Sequence, residues 1–147
     1  MKYPTWLKPH LYDFYELDEK TLLATCLYGE AASESYDGKF AVGCVIRNRV
    51  EVPGWWGDTY HRVILSPKQF SCFNADAPTL PMMRNPRGKA WTDCLRVADE
   101  ILNGKPDTTG NATHYFADYI KKPEWAKRMV KTCKIGVHEF YFELGSA

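Results

Sequence analysis

The spacing of hydrophobic positions along the chain predicts three long helices. Asp18 is suited to cap a helix whose leucines and cysteine recur at helical spacing as far as Leu27. A second helix is predicted over about residues 36–50, and its stretch Phe40–Ile46 is apolar on nearly every face, which places it at the centre of the domain. The stripe of a third helix ends before Gly104 and consists of Trp91, Cys94, Leu95, Ala98, Ile101 and Leu102.

Proline and glycine interrupt this pattern between the second and third helices. Asp58 and Thr59 begin a short predicted helix that runs through Leu65 and ends before Pro67. Residues 66–88 contain four prolines and no sustained periodicity, which predicts a long ordered loop. Loops of this length inside a compact domain are commonly functional or disordered.

The last third of the chain changes to the alternating pattern of strands. Strands are predicted at Ala112–Ala117 and Val137–Phe142, with a helix between them that begins at Pro123 and carries Trp125 and Met129. We expect the two strands to pair in a small antiparallel sheet. The predicted fold class is therefore α+β, mostly α-helical.

The length of 147 residues is sufficient for one domain with one buried core. An apolar share of 45% and a charged share of 25% are those of a folded globular protein. Residues 1–17 contain several aromatic residues and two prolines, and we expect them to form a strap over the domain rather than a helix. Residues 18–147 are then expected to form the functional domain.

The charge of the chain limits its partners. The 19 Lys and Arg residues against 18 Asp and Glu leave a net charge of +1, which argues against electrostatic binding of nucleic acid. Residues 10–40 sum to −5 and residues 105–134 to +4, which suits a polyanionic polymer such as a bacterial wall, or simply two solvated surfaces. The longest apolar run, Phe40–Ile46, is too short to span a bilayer, and no hydrophobic leader opens the sequence. We expect a monomer.

The cysteines and histidines show no metal-binding signature. Five cysteines are an odd number, no two form a CxxC pair, and they lie singly in apolar stretches. This pattern predicts reduced core thiols in a protein made in the cytosol. His114, Cys133 and His138 could meet across the late sheet, but they lack the spacing of a zinc site. We therefore expect neither a metal nor another cofactor.

Glu30 is the principal candidate for catalysis. It follows Cys26 by four residues and Leu27 by three, so helical geometry places it on the buried face of the first helix. Burial disfavours the ionised form of a carboxyl, which suits a general acid that works near neutral pH. The alternative is structural: Glu30 could form a buried ion pair with Arg47 or Arg49, and spacing alone favours neither interpretation.

Two neighbours extend this candidate site. Gly29 lies within the helical pattern, where a glycine costs about 1 kcal/mol relative to alanine. That cost is reasonable if a ligand approaches the backbone closely or if the helix ends there. Glu34 lies one turn beyond Glu30, and side chains four residues apart on a helix are about 6 Å apart. It could therefore reach the same cleft as a second carboxylate.

Two aromatic-polar segments could either fill the core or hold a ligand. One is residues 69–71 in the long loop, and the other is residues 114–116 on the first strand. On that strand His114 and Phe116 share one face, whereas Tyr115 points to the other. We expect both segments to flank the cleft of Glu30, because separate clusters of this kind converge where a ligand is held.

Several short blocks occur in order between about residue 20 and residue 142. They are Tyr28-Gly29-Glu30, Gly38-Lys39-Phe40-Ala41-Val42, Val45-Ile46-Arg47-Asn48-Arg49-Val50, Gln69-Phe70-Ser71, Ala90-Trp91, Asp107-Thr108-Thr109-Gly110-Asn111-Ala112-Thr113-His114-Tyr115-Phe116 and Ile135-Gly136-Val137-His138-Glu139-Phe140-Tyr141. Together these blocks resemble the cell-wall hydrolase family that includes the spore cortex-lytic enzymes. The chain departs from the family where Ala32-Ser33 stands in place of Arg-Gly before Glu34, and residues 1–17 have no recognised counterpart.

The resemblance implies a lysozyme-like lytic transglycosylase with Glu30 as its catalytic residue. The expected substrate is the glycan strand of peptidoglycan, cleaved at the β-1,4 bond between N-acetylmuramic acid and N-acetylglucosamine. Together with the small size of the chain and the missing leader, the resemblance implies a phage endolysin. Such a protein is made in the cytoplasm and acts on the wall once the membrane is opened. The substrate-binding residues expected from the shared blocks are Tyr28, Gln69, Phe70, Ser71, His114, Tyr115 and Phe116, with Glu34 as a candidate second carboxylate.

Two other functions stay open at this point. A non-catalytic wall-binding protein could keep the groove without the chemistry, although the presence of Glu30 argues against it. A zinc-dependent amidase could cut the peptide stem of the same polymer.

Overall fold

Helices and one small sheet make up the part of the chain that the structure describes. The structure is a computed structural model, and it describes residues 2–143. The predicted class, α+β and mostly helical with a small antiparallel sheet, is confirmed. Met1 and residues 144–147, the outer ends of the predicted strap and of the predicted domain, lie outside the described residues. Within the described range, no helix is long and apolar enough to cross a membrane.

The N-terminal segment packs into the main core. It contains a turn of 3₁₀ helix at Pro9–Leu11 and a short helix α1 (Tyr12–Tyr15), so the expectation of a segment without a helix is wrong. Leu11 and Phe14 are buried among the side chains of the long helices. The ring of Phe14 meets Phe73 edge to face with 5.2 Å between the ring centroids. Burial of these apolar side chains anchors the segment.

The first two long helices are present where the pattern predicts them. Helix α2 (Glu19–Ala31) begins at Asp18, whose side chain accepts a hydrogen bond from the backbone N–H of Thr21. Helix α3 (Tyr36–Glu51) is capped in the same way by Ser35. Each cap satisfies a backbone donor that would otherwise have no partner in the helix.

The predicted loop at residues 66–88 contains helical structure. It follows the short helix α4 (Tyr60–Leu65) and includes a 3₁₀ helix at Ser71–Phe73 and helix α5 (Leu80–Arg84). Five residues are too few to show a helical period, so the pattern could not reveal α5. The third long helix, α6 (Gly88–Leu102), then packs its apolar stripe against α2 and α3.

The sheet has three antiparallel strands in the order β1-β3-β2. Strands β1 (His114–Ala117) and β3 (His138–Phe142) pair as expected. Strand β2 (Val130–Ile135) was not predicted. The register of β2 against β3 shifts between Lys131 and Cys133, and this irregularity breaks the alternation by which a strand is recognised.

The helix predicted from Pro123 is shorter than expected. It is a 3₁₀ helix at Glu124–Arg128, and it carries Trp125 but ends before Met129. The chain then extends directly into β2, so the segment between the two predicted strands supplies the third strand of the sheet.

Helix α3 joins the helical core to the sheet. Ala41 and Val45 pack against Phe140 of β3, whereas the other apolar side chains of α3 belong to the main core. Near its end, Asn48 and Arg49 are buried and donate hydrogen bonds to the backbone carbonyls of Ala112 and Thr113, at 2.9 and 2.7 Å. These bonds fix the start of β1 against the helical core, because a buried carbonyl without a partner is costly.

Candidate active site

Glu30 lies in the last turn of α2 and contacts the sheet. Its side chain is half-buried, and Oε1 accepts a hydrogen bond from the hydroxyl of Tyr115 at 2.9 Å. The two residues are 85 positions apart in the sequence. The polar partner of Glu30 is thus the tyrosine of β1. The ion pair with Arg47 or Arg49 that the sequence left open is not formed, since those guanidinium groups bind carbonyl or amide oxygens.

Tyr115 packs against two aromatic rings of β3. Its ring meets His138 edge to face with centroids 5.0 Å apart and lies 5.8 Å from the ring of Phe140. Burial raises the pKa of the Tyr115 hydroxyl well above its usual value, and the charge of Glu30 raises it further. The hydroxyl is therefore protonated at all ordinary pH values and serves Glu30 as a hydrogen-bond donor.

His138 connects Glu34 to this pair. Its Nδ1 is buried and lies 3.6 Å from Oε1 of Glu34, too far for a hydrogen bond, so Nδ1 has no hydrogen-bond partner among the described residues. Burial lowers the pKa of His138, while the carboxylates of Glu34, Glu30 and Asp118 partly oppose that shift. The imidazole of His138 is therefore neutral at pH 7, packs on Tyr115 and has an unsatisfied nitrogen near Glu34.

Glu34 does not occupy the position expected from helical spacing. Helix α2 ends at Ala31, so Glu34 lies in the turn before α3 and is not one helical turn beyond Glu30. Its carboxylate packs against Gly136, where a Cβ would lie 2.8 Å from Oε1. Gly136 also has φ of +59°, so two independent requirements favour glycine there. Glu34 is thereby directed to His138.

A pocket of about 390 Å³ lies beside Tyr115. Gln69 and His114, one from each predicted aromatic-polar segment, both line it. Arg49 joins the two segments, because its guanidinium donates to the carbonyl of Thr113 and, at 3.2 Å, to Oε1 of Gln69. Glu30 is one side chain away from this pocket, in contact with its wall through Tyr115.

His114 is a neutral wall of the pocket. Its ring lies between the indoles of Trp56 and Trp125, with centroid distances of 5.9 and 5.1 Å. Its Nδ1 is 3.0 Å from the hydroxyl of Thr113. Burial lowers the pKa of His114 to about 4, and the nearby charge of Arg49 lowers it further. The imidazole is therefore uncharged at neutral pH.

The structure does not bring the other expected binding residues to this pocket. Phe70 is buried in the main core, and Phe116 is buried in a cluster with Ala126 and Tyr141, so both are core aromatics. Ser71 is exposed at the start of a 3₁₀ helix and is not part of the pocket wall.

Tyr28 belongs to a different depression of the surface. It lies in a pocket of about 550 Å³ together with Met82 and Arg87, and its hydroxyl donates to the carbonyl of Arg87 at 3.3 Å. This pocket shares no lining residue with the one beside Tyr115. Positions 28 and 30 are two residues apart on α2, a spacing that does not place side chains together on a helix.

Gly29 allows the segment at residues 66–88 to pack directly on α2. A Cβ at Gly29 would lie 2.6 Å from Sδ of Met83 and 2.9 Å from Sγ of Cys72. The helix continues to Ala31, so a helix end is not the reason for the glycine. The space at Gly29 is used by protein side chains that close over the helix next to Glu30.

The cysteines and histidines form no metal centre in residues 2–143, where no group of three or more suitable side chains is arranged around one point. All five cysteines are free thiols, and Cys133 is the one that is not fully buried. Burial raises the pKa of Cys44 to about 11 and that of Cys94 to about 12, which disfavours the thiolate needed for nucleophilic chemistry.

Sequence reasoning missed several residues of the site. His138 was weighed only as a metal ligand, and Arg49 only as an ion-pair partner. Lys68, Arg128 and Trp55 also line the pocket and were not singled out at all. His138 is a polar residue on the predicted strand that was expected to pair with the strand of Tyr115. This pairing was the available indication that His138 could lie near the site.

The model of one protein family, described as Cell Wall Hydrolase, matches residues 33–141. The chain belongs to the cell wall hydrolase family. Most of the blocks noted in the sequence fall inside this match, whereas Glu30 lies just before it.

Curated relatives match a longer stretch of the chain than the family model does. The spore cortex-lytic enzyme of Oceanobacillus iheyensis is 32% identical over 126 residues, which cover 86% of this chain and 42% of that protein. The spore cortex-lytic enzyme of Bacillus cereus is also 32% identical over 126 residues, with 45% of its length covered. The chain thus spans less than half the length of these curated relatives of the cell wall hydrolase family.

Solved structures show the same fold. The catalytic domain of the germination-specific lytic transglycosylase SleB from Bacillus anthracis superposes with a TM-score of 0.69 at 26% identity, covering 95% of this chain and all of that domain (100%). The catalytic domain of the Bacillus cereus SleB protein gives a TM-score of 0.60 at 25% identity, with coverages of 97% and 100%. The described chain therefore has the fold of a cell wall hydrolase catalytic domain.

Proposed function

We propose that this cell wall hydrolase cleaves the glycan strand of peptidoglycan at the β-1,4 bond between N-acetylmuramic acid and N-acetylglucosamine, with Glu30 as general acid and base. The observation that carries the proposal is the hydrogen bond of 2.9 Å from Tyr115 to Glu30, beside a pocket that can hold a ligand. The fold shared with the catalytic domain of the lytic transglycosylase SleB supports it.

The chemistry requires one carboxyl that first gives and then takes a proton. Glu30 would protonate the glycosidic oxygen as the bond to the muramic C1 breaks. The resulting carboxylate would then remove the proton from the muramic 6-hydroxyl, whose oxygen bonds to C1. The products are a 1,6-anhydromuramic end and a free N-acetylglucosamine 4-hydroxyl, and no water is consumed.

Tyr115 would favour loss of the proton in the first half of this cycle and would orient Glu30 in both halves. Its hydroxyl donates to Glu30 and so favours the carboxylate that forms when the proton leaves, since hydrogen bonds to a charged acceptor are stronger than neutral ones. The bond also holds the carboxyl in one orientation. Because Tyr115 is itself packed against His138 and Phe140, this orientation is fixed by the sheet.

Glu34 is proposed to act on the position of His138 rather than as a second catalytic carboxylate. Its carboxylate oxygen lies 3.6 Å from Nδ1 of His138, and the ring of His138 packs on Tyr115. A hydrolase that uses water would instead need a second carboxylate at the sugar. The products distinguish the two cases, because an anhydro end is lighter than a reducing end by one water.

A phage endolysin is the biological setting that we propose. The buried free thiols of Cys26, Cys44, Cys72 and Cys94 suit a protein that matures in a reducing cytosol. A cell that expresses such a protein should stay intact until its membrane is permeabilised and should then lyse rapidly.

The decisive test is Glu30→Gln, which keeps the size of the side chain and removes its acidic proton. Lysis of purified walls, followed by turbidity, should fall about 10²- to 10⁴-fold while the melting temperature stays close to that of the parent. Glu19→Gln, an exposed position on the same helix, is the matched control and should keep full activity. Glu34→Gln should be milder than Glu30→Gln.

The products of the parent enzyme complete this test. Mass spectrometry should find anhydromuramic ends on the released fragments. Near-parental lysis by the folded Glu30→Gln variant would overturn the assignment of Glu30. Fragments cut in the peptide stem, with loss of activity in a chelator, would indicate a zinc amidase, and binding without any cleavage would indicate a wall-binding protein.

A further inference from the structure

Three cationic side chains converge on the pocket beside Tyr115. They are Arg49, Lys68 and Arg128, which come from α3, from the segment after α4 and from the end of the 3₁₀ helix before β2. The wall contains one carboxylate, that of Glu143, and His114 is neutral. Three cations and one carboxylate leave the wall with a net positive charge at neutral pH.

Arg49 is built into the pocket rather than attached to the surface. It is buried, bonded to the carbonyl of Thr113 and to Gln69, and its guanidinium lies over the rings of Trp56 and Phe70 at 5.5 and 5.7 Å. A guanidinium fixed in this way is a preorganised donor for an anion.

Lys68 is held in a backbone conformation that lysine rarely adopts. Its φ is +66°, in the left-handed region where glycine and asparagine are favoured. Among the described residues, the other non-glycine residue with positive φ is Asn111, for which the conformation is ordinary. A lysine at such a site is unfavourable for folding alone, and residues of this kind cluster where a ligand is bound.

Indole rings provide the apolar part of the same wall. Trp125 lines the pocket next to His114, and Trp55 also lines it although 68% of its surface is exposed. Indole faces stack on sugar rings or on the apolar parts of peptides, while the cations fix a charged group. The combination suits a glycan that carries an acidic substituent.

We propose that this pocket binds a carboxylate carried by the muramic acid residue next to the scissile bond, and that Lys68 and Arg128 select for this charge. The inference rests on the proposed cleavage of peptidoglycan glycan. The carboxylate has two possible origins, the lactyl group of a muramic acid without a peptide and the acidic residues of an attached peptide stem. A pocket of about 390 Å³ is large enough for a small ligand group of either kind.

The test compares two forms of purified wall, one untreated and one whose carboxylates have been coupled to methylamine with a carbodiimide, which turns them into neutral methylamides. The parent enzyme should cleave the amidated wall with a kcat/KM about tenfold to a hundredfold lower, mostly through KM, since charge-assisted bonds are lost. The double variant Lys68→Asn and Arg128→Gln should be slow on the untreated wall by a similar factor. It should also lose its preference between the two walls.

The variants are chosen so that loss of folding does not mimic loss of binding. Asparagine is favoured at positive φ, so Lys68→Asn keeps the backbone conformation and should not lower the melting temperature. Arg128 is exposed, and Arg128→Gln alone gives an independent measurement. Lys121→Gln with Lys122→Gln removes two exposed charges outside the pocket wall and is the control for general attraction to the wall.

A third substrate distinguishes the two origins of the carboxylate. An amidase that removes the stems frees the lactyl carboxylate, which is an amide in stem-bearing muramic acid, and the resulting strands can be amidated in turn. Cleavage of stem-free strands that is at least as fast as that of intact strands, and that is lost when the stem-free strands are amidated, would assign the lactyl group, whereas a loss on stem-free strands would assign the stem.

An unchanged preference in the double variant, or an equal loss in the lysine control, would overturn the inference. The proposed function would still stand, because cleavage of glycan would be observed. Failure of the parent enzyme to cleave any of the glycans would instead overturn the proposed function.

Discussion

The two faces of strands β1 and β3 use similar residues for different purposes. On one face, Tyr115 and His138 approach the glutamates, and the tyrosine hydroxyl binds Glu30. On the other face, Phe116 stacks on Tyr141 with 5.4 Å between the ring centroids and meets Trp125 edge to face. Adjacent aromatic residues on one strand thus belong to a polar site and to an apolar cluster.

The difference between the faces lies in what packs against them. The face of Tyr115 is covered by α3 and by the end of α2, and that end carries Glu30. The face of Phe116 is covered by the 3₁₀ helix at Glu124–Arg128, which contributes Trp125 and Ala126. Alternation along a strand determines which side chains share a face, whereas the covering element determines what they do.

The largest expected effect is the loss of stability in Phe116→Ala. Phe116 is 7% exposed in its cluster, and truncation of a buried phenylalanine costs about 3 to 5 kcal/mol. Urea unfolding should show this loss. Tyr119→Ala, which removes an aromatic ring that is 78% exposed nearby, should cost little. A small loss in Phe116→Ala would mean that this face does not contribute to the core.

Tyr115→Phe should affect activity and leave the fold intact. It removes the hydroxyl that donates to Glu30, a charge-assisted bond of about 1.5 to 3 kcal/mol, so kcat should fall about tenfold to a hundredfold with little change in KM. Tyr141→Phe is the matched control on the other face, because its hydroxyl donates to Glu139. Equal effects of the two changes on kcat would show that the faces do not differ in function.

The smallest expected effect is on the pH dependence of stability, to which His114 should contribute more than His138. The pKa of His114 is lowered to about 4 in the folded state, so the unfolded chain, with a pKa of about 6.5, binds the proton first as the pH falls. Its stabilising contribution is complete above about pH 6.5 and is lost toward pH 4. Between pH 7 and pH 5 this loss is about 2 kcal/mol.

Unfolding of His114→Gln in urea at pH 7, 6 and 5 measures this effect. The variant should be less sensitive to acid than the parent. His138→Gln should change the sensitivity less, since three carboxylates oppose the lowering of the pKa of His138. If the stability of His114→Gln depended on pH as that of the parent does, His114 would be excluded as the cause of the acid sensitivity.

Much of the fold follows from periodicity. Helices α2, α3 and α6 were predicted because their apolar positions repeat over several turns, and the opposite facing of Tyr115 and Phe116 follows from strand alternation. Strand β2 and helix α5 were missed because a shifted register and a length of five residues remove the period.

The site was less predictable than the fold. The spacing of apolar residues predicted that Glu30 lies on the inner side of α2. It could not predict that the hydrogen-bond partner of Glu30 is Tyr115, which is 85 residues away. The same spacing predicted that α2 continues to Glu34, because Ala31 and Ala32 do not indicate that the helix ends there. Long-range pairing depends on how elements pack, and a single sequence contains no direct measure of that packing.

The absence of a side chain at Gly29 constrains how the sequence can diverge. A Cβ at position 29 would lie 2.6 Å from Sδ of Met83 and 2.9 Å from Sγ of Cys72, so a substitution there requires these side chains to shift or to become smaller. Mutations at the three sites are therefore strongly epistatic, and the order in which they arise matters. Substitutions in the segment that packs on α2, at Cys72 and Met83, therefore depend on which residue stands at position 29, next to Glu30.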